Sequence, residues 1–238
     1  MIVVKDLCVS LNQRLILSDV SFNLNDGHNL VILGRSGSGK TVLIKSLLGI
    51  YEPDSGSVTI DGIDVHSGSV AQKQELKKRF AMVFQNAALL DSFTVFQNIA
   101  LPLYEREDFS ADSVKDKVVN SLSLVGLENT VDLYPAQLSG GMRKRIGIAR
   151  ALVYDPDYII FDEPVSGLDP ITAKEILYYI AKIIATAKST VITITHEVSS
   201  LSLIGDRVLF LDTGKVIFEG GIAELQQSKD SFLQRYIS

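Results

Sequence analysis

The chain has 238 residues, 46% hydrophobic and 21% charged, the composition of a globular protein built as one sizeable domain or as a core with an insertion. A net charge of −5 argues against a nucleic-acid partner. The single cysteine, Cys8, excludes an internal disulfide and a cysteine-cluster metal site; within IVVKDLCVSL it reads as a small core residue of a strand.

The first 33 residues read as β structure, because MIVVKDLCVSL, RLILSDVSFNL and HNLVILG are rich in Val, Ile and Leu and are separated by turn residues. The last of these runs into Gly34, and KTVLIKSLLGI then carries the helical spacing Val42, Leu43, Leu47, Leu48. YEPDSGSVTIDG predicts a turn and a short strand. SVAQKQELKKRF predicts a polar helix with Lys73, Lys77, Lys78 and Arg79 on a solvated face, and FAMVFQ a short buried strand closed by Gln85. From about 86 to 156 the strands stop, and the helical candidates are TVFQNIAL, ADSVKDKVVNSLSLVG and a helix that begins near Ser139. The β/α alternation then returns with DYIIFDEP, STVITITH and RVLFLDTGKVIFEG as strands and helices between them and at the C-terminus. A helical block bracketed by two α/β stretches predicts one core with an inserted helical subdomain, and the alternation predicts a mostly parallel sheet. No basic segment followed by a long apolar run stands near residue 1, so a secretory signal is not expected. The longest apolar helix candidate, ITAKEILYYIAKIIATA, is broken by Lys174, Glu175 and Lys182 and reads as a buried helix, and no stretch approaches the roughly 20 apolar residues of a membrane span. The expectation is a cytosolic protein unless a membrane partner holds it.

GRSGSGKT, comprising Gly34, Arg35, Ser36, Gly37, Ser38, Gly39, Lys40 and Thr41, fits G-x-x-x-x-G-K-[ST] between a strand and a helix. Its glycines let the backbone curl around a phosphate chain, and the helix N-terminus adds partial positive charge. Lys40 is placed to reach β- and γ-phosphates and the Thr41 hydroxyl to ligate Mg²⁺. A hydroxyl-held Mg²⁺ needs a carboxylate, and YIIFDEP supplies one at a strand end: Asp162 as the metal partner, with Glu163 as the base that orients the attacking water. Gln85 and His196 also close strands; Gln85 would touch metal or water, and His196 would donate a hydrogen bond to the γ-phosphate or else be an ordinary surface histidine.

QLSGGMRKRIGIAR, residues 137 to 150, opens a basic helix with a second serine–glycine loop, and the place of Arg143, Lys144, Arg145 and Arg150 just after that loop fits nucleotide contact and subdomain packing better than nucleic acid. One site does not need the second loop, but a symmetric pair of copies does: Ser139, Gly140 and Gly141 of one copy can face the nucleotide held by the Gly34–Thr41 loop of the other.

At this point the chain resembles the ATP-binding-cassette (ABC) ATPases over essentially its whole length. The motifs fall in family order: P-loop at Gly34–Thr41, Q-loop at Gln85, signature at Leu138–Met142, Walker B at Tyr158–Asp162 with Glu163, D-loop at Ser166–Asp169 and switch histidine at His196. The resemblance implies an α/β P-loop NTPase (RecA-like) core with an N-terminal antiparallel β subdomain and an inserted helical subdomain. Residues 1–238 would form a single ABC ATPase domain, with 1–85 and 157–238 as core and β subdomain and 86–156 as the helical subdomain. It implies ATP and Mg²⁺ (at Thr41, Gln85 and Asp162), with Glu163, His196, Gln85 and Lys40 in catalysis. It further implies an ATP-sandwich dimer in which Leu138, Ser139, Gly140, Gly141 and Met142 serve the opposite ATP and Asp169 the opposite P-loop. The other half would be a second copy or a homologous ATPase. Integral membrane permease subunits would dock near residues 87–103, a segment apolar enough either to dock or simply to pack the helical subdomain, and the chain would sit on the cytoplasmic face of the inner membrane. Two departures stand out. Leu11 occupies the place of the family's adenine-stacking aromatic, and Met142 replaces the usual Gln. LSGGMRKR, FDEPVSGLDPIT and QNAALLDSFTVFQNIALPL look closest to the Mce/Mla-type phospholipid transport ATPases, although amino-acid importers share much of the middle stretch. A soluble ABC ATPase of an assembly-scaffold kind is the alternative from another class; the coiled-coil, zinc or tandem-cassette features of other soluble members are not in the sequence.

Overall fold

The computed structural model describes residues 1–106, 109–186, 188–198 and 201–237. In chain order the elements are β1 (Ile2–Leu11), β2 (Arg14–Leu24), β3 (Asn29–Leu33), α1 (Lys40–Leu47), β4 (Ser55–Ile60), β5 (Ile63–Asp64), α2 (Val70–Arg79), β6 (Phe80–Val83), α3 (Val95–Tyr104), α4 (Ala111–Leu124), α5 (Gly140–Leu152), β7 (Tyr158–Asp162), α6 (Pro170–Thr186), β8 (Thr190–Thr195), α7 (Leu201–Ile204), β9 (Arg207–Asp212), β10 (Lys215–Gly221), α8 (Ile222–Gln226) and α9 (Ser231–Ile237). They divide into two units, Met1–Phe80 with Ser189–Ser238, and Ala81–Lys188.

The first unit holds an antiparallel sheet in the order β2-β1-β4-β5. β2 shows why: Val20, Phe22 and Leu24 are buried while Asp19, Ser21 and Asn23 alternate outward, the period-two pattern of a sheet with one dry face. Cys8 is half-buried on β1, between the buried Leu7 and Val9, and its sulfur accepts the Asp19 N–H at 3.3 Å. The same unit carries the run β10-β9-β3-β8, in which β3 is parallel to β8 and to β9 and β10 returns antiparallel. β8 is buried at all six positions and β3 at its last four, the near-continuous apolar sequence of strands covered on both faces. The β9–β10 turn puts Thr213 and Gly214 at φ 46° and 80°, the left-handed pair that a two-residue hairpin turn demands.

In the second unit β7 lies beside β6, with α3, α4, α5 and α6 in the same unit. α6 buries Ile176, Leu177, Ile180 and Ile183 and exposes Ile171 and Tyr178, so it is amphipathic rather than the buried helix expected, its charges lying on a solvated face; Ala187, the last residue of the sequence candidate, lies outside the described residues. α3 is started by a reciprocal cap between Thr94 and Gln97 and buries Val95, Asn98, Ile99, Ala100 and Leu103. It runs through Pro102 and so extends past the TVFQNIAL segment, which stops at Leu101. β6 stops at Val83, two residues before Gln85. The chain turns at Phe84, whose carbonyl accepts the Ala87 N–H at 3.0 Å, and Gln85 therefore lies in a loop rather than at a strand end.

Candidate nucleotide site and its relatives

The phosphate loop follows β3 directly. Backbone register pairs Leu33 with Thr195, so Gly34 and His196 leave the C-terminal ends of neighbouring parallel strands at the same level, the usual place for ligands in an α/β sheet. Gly34 has φ 153°, and a methyl there would lie 2.1 Å from the Leu211 carbonyl oxygen; Gly39 has φ 108°, and a methyl there would lie 2.7 Å from Leu17 Cδ2. These two positions therefore exclude any side chain. Lys40 is buried and its ammonium donates to the Gly34 carbonyl at 2.6 Å and the Arg35 carbonyl at 3.1 Å, which holds it against the loop's own backbone. Ser38 is buried, and its hydroxyl oxygen has no hydrogen-bond partner among the described residues. An unsatisfied buried hydroxyl costs about 1–3 kcal/mol, so its position inside a glycine-lined curl fits a polar ligand such as a phosphate chain. Arg35, Ser36, Gly37 and Thr41 are exposed. His196 is exposed, and its backbone carbonyl accepts the Tyr236 hydroxyl at 3.1 Å. Leu11 is half-buried at the end of β1 and pairs with Arg14 across the Asn12–Gln13 turn.

The remaining sequence-derived positions, Gln85, Leu138 to Met142, Asp162, Glu163 and Asp169, belong to the second unit. β7 delivers Asp162 half-buried at its end, and the chain then bends sharply because Glu163 adopts φ 47°. A left-handed non-glycine residue costs about 1–3 kcal/mol, and the residue before a proline prefers extended backbone, so the bend must be held from outside. Lys144 of α5 holds it: its ammonium donates to the Pro164 carbonyl at 2.9 Å and the Ser166 carbonyl at 2.8 Å. Two such charge-assisted bonds, each worth about 1.5–3 kcal/mol, offset the strain together with the cost of burying the ammonium, so they fix the path of the chain with little net gain in stability. Burial pushes the Lys144 ammonium below its usual lysine range, partly countered by the Glu163 carboxylate. Gln85 donates its side-chain N–H to the Ser166 hydroxyl at 3.1 Å, so the loop bearing Gln85 meets the same bend.

Ser139 caps α5 by accepting the Met142 N–H at 3.2 Å. Gly140 is exposed, and a methyl there would meet nothing within 4 Å, whereas one at Gly141 would lie 2.6 Å from Thr172 Cγ2. Thr172 in turn donates its hydroxyl to Asp169 at 2.6 Å. The other Asp169 oxygen accepts the backbone N–H groups of Ile171 at 3.0 Å and Thr172 at 3.1 Å, which makes Asp169 the cap of α6. The Thr172 hydroxyl and these N–H groups hold the Asp169 carboxyl below its usual range. The basic residues of α5 bond to backbone carbonyls within this unit: Arg143 to Leu138 at 2.7 Å, Arg145 to Val125 at 3.2 Å, and Arg150 to Ala87 at 2.7 Å and Ala88 at 2.8 Å. The specific roles of two residues escape a reading of the sequence. Arg150 clamps two left-handed alanines, Ala87 at φ 57° and Ala88 at φ 48°, next to the bare Gly147. Asn98, fully buried in α3, accepts the Leu90 N–H at 2.8 Å and donates to the carbonyls of Leu90, Phe93 and Thr94 at 3.0–3.1 Å. A lone amide on the apolar face of an otherwise hydrophobic helix is the signal that could have pointed to it.

The sequence profile described as "ABC transporter" matches residues 17–166, more than half of the chain. The chain belongs to the ABC transporter family. This ABC chain is 38% identical over 88% of its length to "Methionine import ATP-binding protein MetN" of Carboxydothermus hydrogenoformans, of which it covers 62%. It is 36% identical over 99% of its length to "Probable ribonucleotide transport ATP-binding protein mkl" of Mycobacterium leprae, of which it covers 68%. The chain thus spans about two thirds or less of these relatives. Among solved structures it superposes on cbiO1 from Clostridium perfringens, part of the ABC transporter complex cbiONQ, with a TM-score of 0.87 and 28% identity, covering 96% of this chain and 91% of that one. It also superposes on a dimeric, post-hydrolysis structure of the ATP-binding cassette MJ0796 bound to ADP and Pi, with a TM-score of 0.82 and 28% identity, covering 93% of this chain and 99% of that one. The fold of the ABC chain is accordingly the α/β P-loop NTPase with an antiparallel subdomain. Among the described residues no helix is long and apolar enough to cross a membrane.

Proposed function

We propose that this chain is the ATP-hydrolysing motor subunit of an ABC transporter, working as an ATP-sandwich dimer coupled to integral membrane permease subunits. The observation that carries the reading is the phosphate loop itself: Gly34 and Gly39 admit no side chain, Lys40 is drawn onto the loop backbone, and the buried Ser38 hydroxyl has no partner among the described residues. Gly34 to Thr41 would bind the polyphosphate of ATP. Thr41, Gln85 and Asp162 would hold Mg²⁺, which supplies charge neutralisation for phosphoryl transfer. Glu163 orients the attacking water and accepts its proton, and His196 donates a hydrogen bond toward the terminal phosphate.

Leu138 to Met142 serve the ATP of a second copy, or of a homologous ATPase, and Asp169 serves that copy's phosphate loop. The exposed, sterically open Gly140 supports this, because nothing within its own unit requires a glycine there. To move from 1:99 to 99:1 closed, nucleotide must favour the closed dimer by about 5.5 kcal/mol, and charge-assisted bonds from both loops are a sufficient source. Permease subunits dock on residues 87–103. Most of the apolar side chains of α3 are used up inside their own unit, but Leu90 and the neighbouring Phe84 and Tyr104 stay exposed. The chain would then sit on the cytoplasmic face of the inner membrane, held there by its partners. LSGGMRKR and FDEPVSGLDPIT support phospholipid transport of the Mce/Mla type; the methionine importers among the relatives support an amino-acid importer as the second reading.

Glu163→Gln tests the motor. It should still bind Mg-ATP, accumulate an ATP-bound dimer by light scattering, and lose turnover by about 10²–10⁴-fold. Turnover at the parental rate would remove Glu163 from the role of base. Cargo is decided with the permease complex in vesicles, where ATP-driven movement of phospholipid and of methionine are the two arms.

A further inference from the structure

We propose that Lys144 is a positioning residue that fixes the bend after β7 and thereby the direction in which Glu163 points. The inference rests on the reading of Glu163 as the base. Lys144 donates to two carbonyls, of Pro164 and of Ser166, and so pins the peptide planes that follow Glu163 on the chain. A short turn, the Ser166 N–H to the Glu163 carbonyl at 3.2 Å, closes the loop between those planes and Glu163 itself. The bend is an expensive one, with a left-handed φ of 47° at a residue that is neither Gly nor Asn and that precedes a proline. Such a conformation persists only where its surroundings over-determine it. The lysine is half-buried, and an ammonium taken from water must find hydrogen-bond partners; those it finds in the bend are backbone oxygens of Pro164 and Ser166, which fix the path of the chain.

The same bend is gripped a second time, by Gln85 on the Ser166 hydroxyl. Lys144 sits one turn into α5, the helix that Ser139 caps. A displacement of α5 would therefore be passed through one side chain to the backbone on either side of Ser166 and on to Glu163. Lysine suits this role because it carries three N–H donors on a stem long enough to span from a helix to a neighbouring loop.

The test is steady-state hydrolysis of Mg-ATP by the full chain, with melting temperature recorded for each variant. Lys144→Met should lower kcat about 10²-fold, the cost of a misplacement near 1 Å, with KM for ATP within about twofold of the parent and little change in melting temperature. Lys144→Arg, which also presents several N–H groups to the two carbonyls, should restore most of kcat. Lys144→Gln is the second truncation should the methionine variant fold poorly, and the same loss is expected of it. Parental kcat in a truncated variant overturns the proposal. So does a loss that appears in KM rather than kcat, that follows the melting temperature down, or that Lys144→Arg fails to restore. Glu163→Gln run alongside separates the two claims. If it is slow while Lys144→Met is normal, only the positioning role falls; if it turns over normally, the reading of Glu163 falls and takes this inference with it.

Discussion

The two signature glycines look alike in the sequence and have opposite surroundings in the structure, which allows the second phosphate loop to be tested without confusing function with folding. At Gly140, the first residue of α5, an added methyl meets nothing within 4 Å. Gly140→Ala should thus leave the isolated protein unharmed or stabilise it by up to about 1 kcal/mol through helix propensity, a rise in melting temperature of roughly 2–4 °C. At Gly141 the methyl would lie 2.6 Å from Thr172 Cγ2, and Thr172 cannot turn away without giving up its 2.6 Å bond to Asp169. That overpacking costs about 1–3 kcal/mol, only partly offset by propensity, so Gly141→Ala should melt several degrees lower. In the ATP-bound dimer the order reverses. A methyl at Gly140 would stand between the loop N–H groups and the partner copy's phosphate; losing two charge-assisted bonds, each about 1.5–3 kcal/mol, weakens dimer formation by at least about a hundredfold. The assay is light scattering with ATP in the Glu163→Gln background, together with thermal melting of each glycine variant alone. A Gly140→Ala protein that dimerises and hydrolyses ATP like the parent would show that nothing approaches Gly140 from outside, and the two-loop argument would end there.

Two further outcomes follow from side chains with defined partners. The Asp169 carboxyl is held below its usual range by the Thr172 hydroxyl and by backbone N–H groups, so the folded protein binds its proton less readily than the unfolded chain. Its stabilising cap on α6 is therefore fully present above the ordinary carboxylate pKa of about 4 and is lost as pH falls through the lowered native value. The melting-temperature gap between the parent and Asp169→Ala should be open at pH 6 and narrow as the pH falls below the ordinary carboxylate pKa of about 4, and a gap that stays constant with pH would refute the cap. Asn98→Ala removes four hydrogen bonds from a fully buried amide. At about 1 kcal/mol net for most of them, the loss is roughly 3 kcal/mol, a fall of about 6–12 °C by calorimetry; a shift under about 2 °C would mean that the 90–94 segment does not depend on it.

The parts of the site legible in the sequence are those whose chemistry is local. Gly34 and Gly39 declare themselves because a phosphate loop fixes their spacing, and Asp162 because a buried strand must end where a carboxylate begins. His196 follows its strand directly for the same reason. Gln85 is harder: FAMVFQ alternates well enough to look like strand to its end, and the turn at Phe84 depends on Ala87 and its partner Arg150, more than sixty positions away. The charges of α5 are open to two readings, nucleotide contact or packing, because Arg143, Lys144, Arg145 and Arg150 find backbone carbonyls, which leave no mark in a sequence. Left-handed Glu163, Ala87 and Ala88 are invisible for a related reason. Only Gly, Asn and Asp advertise such a backbone, and here tertiary bonds enforce it on residues that do not.

The hairpin between β9 and β10 reaches further than its two-residue turn suggests. Gly214 donates its N–H to the Ser38 carbonyl at 3.0 Å and accepts the Ser18 N–H at 2.9 Å, while the Leu211 carbonyl stands against Gly34. The tip of a hairpin more than 170 positions downstream thus serves as the mould in which the phosphate loop is cast. The ordering entropy of that loop is then settled when the chain folds rather than when a nucleotide arrives. Damage to this turn, which has no chemistry of its own, such as Gly214→Val, would consequently surface as slack binding in the loop whose backbone it braces.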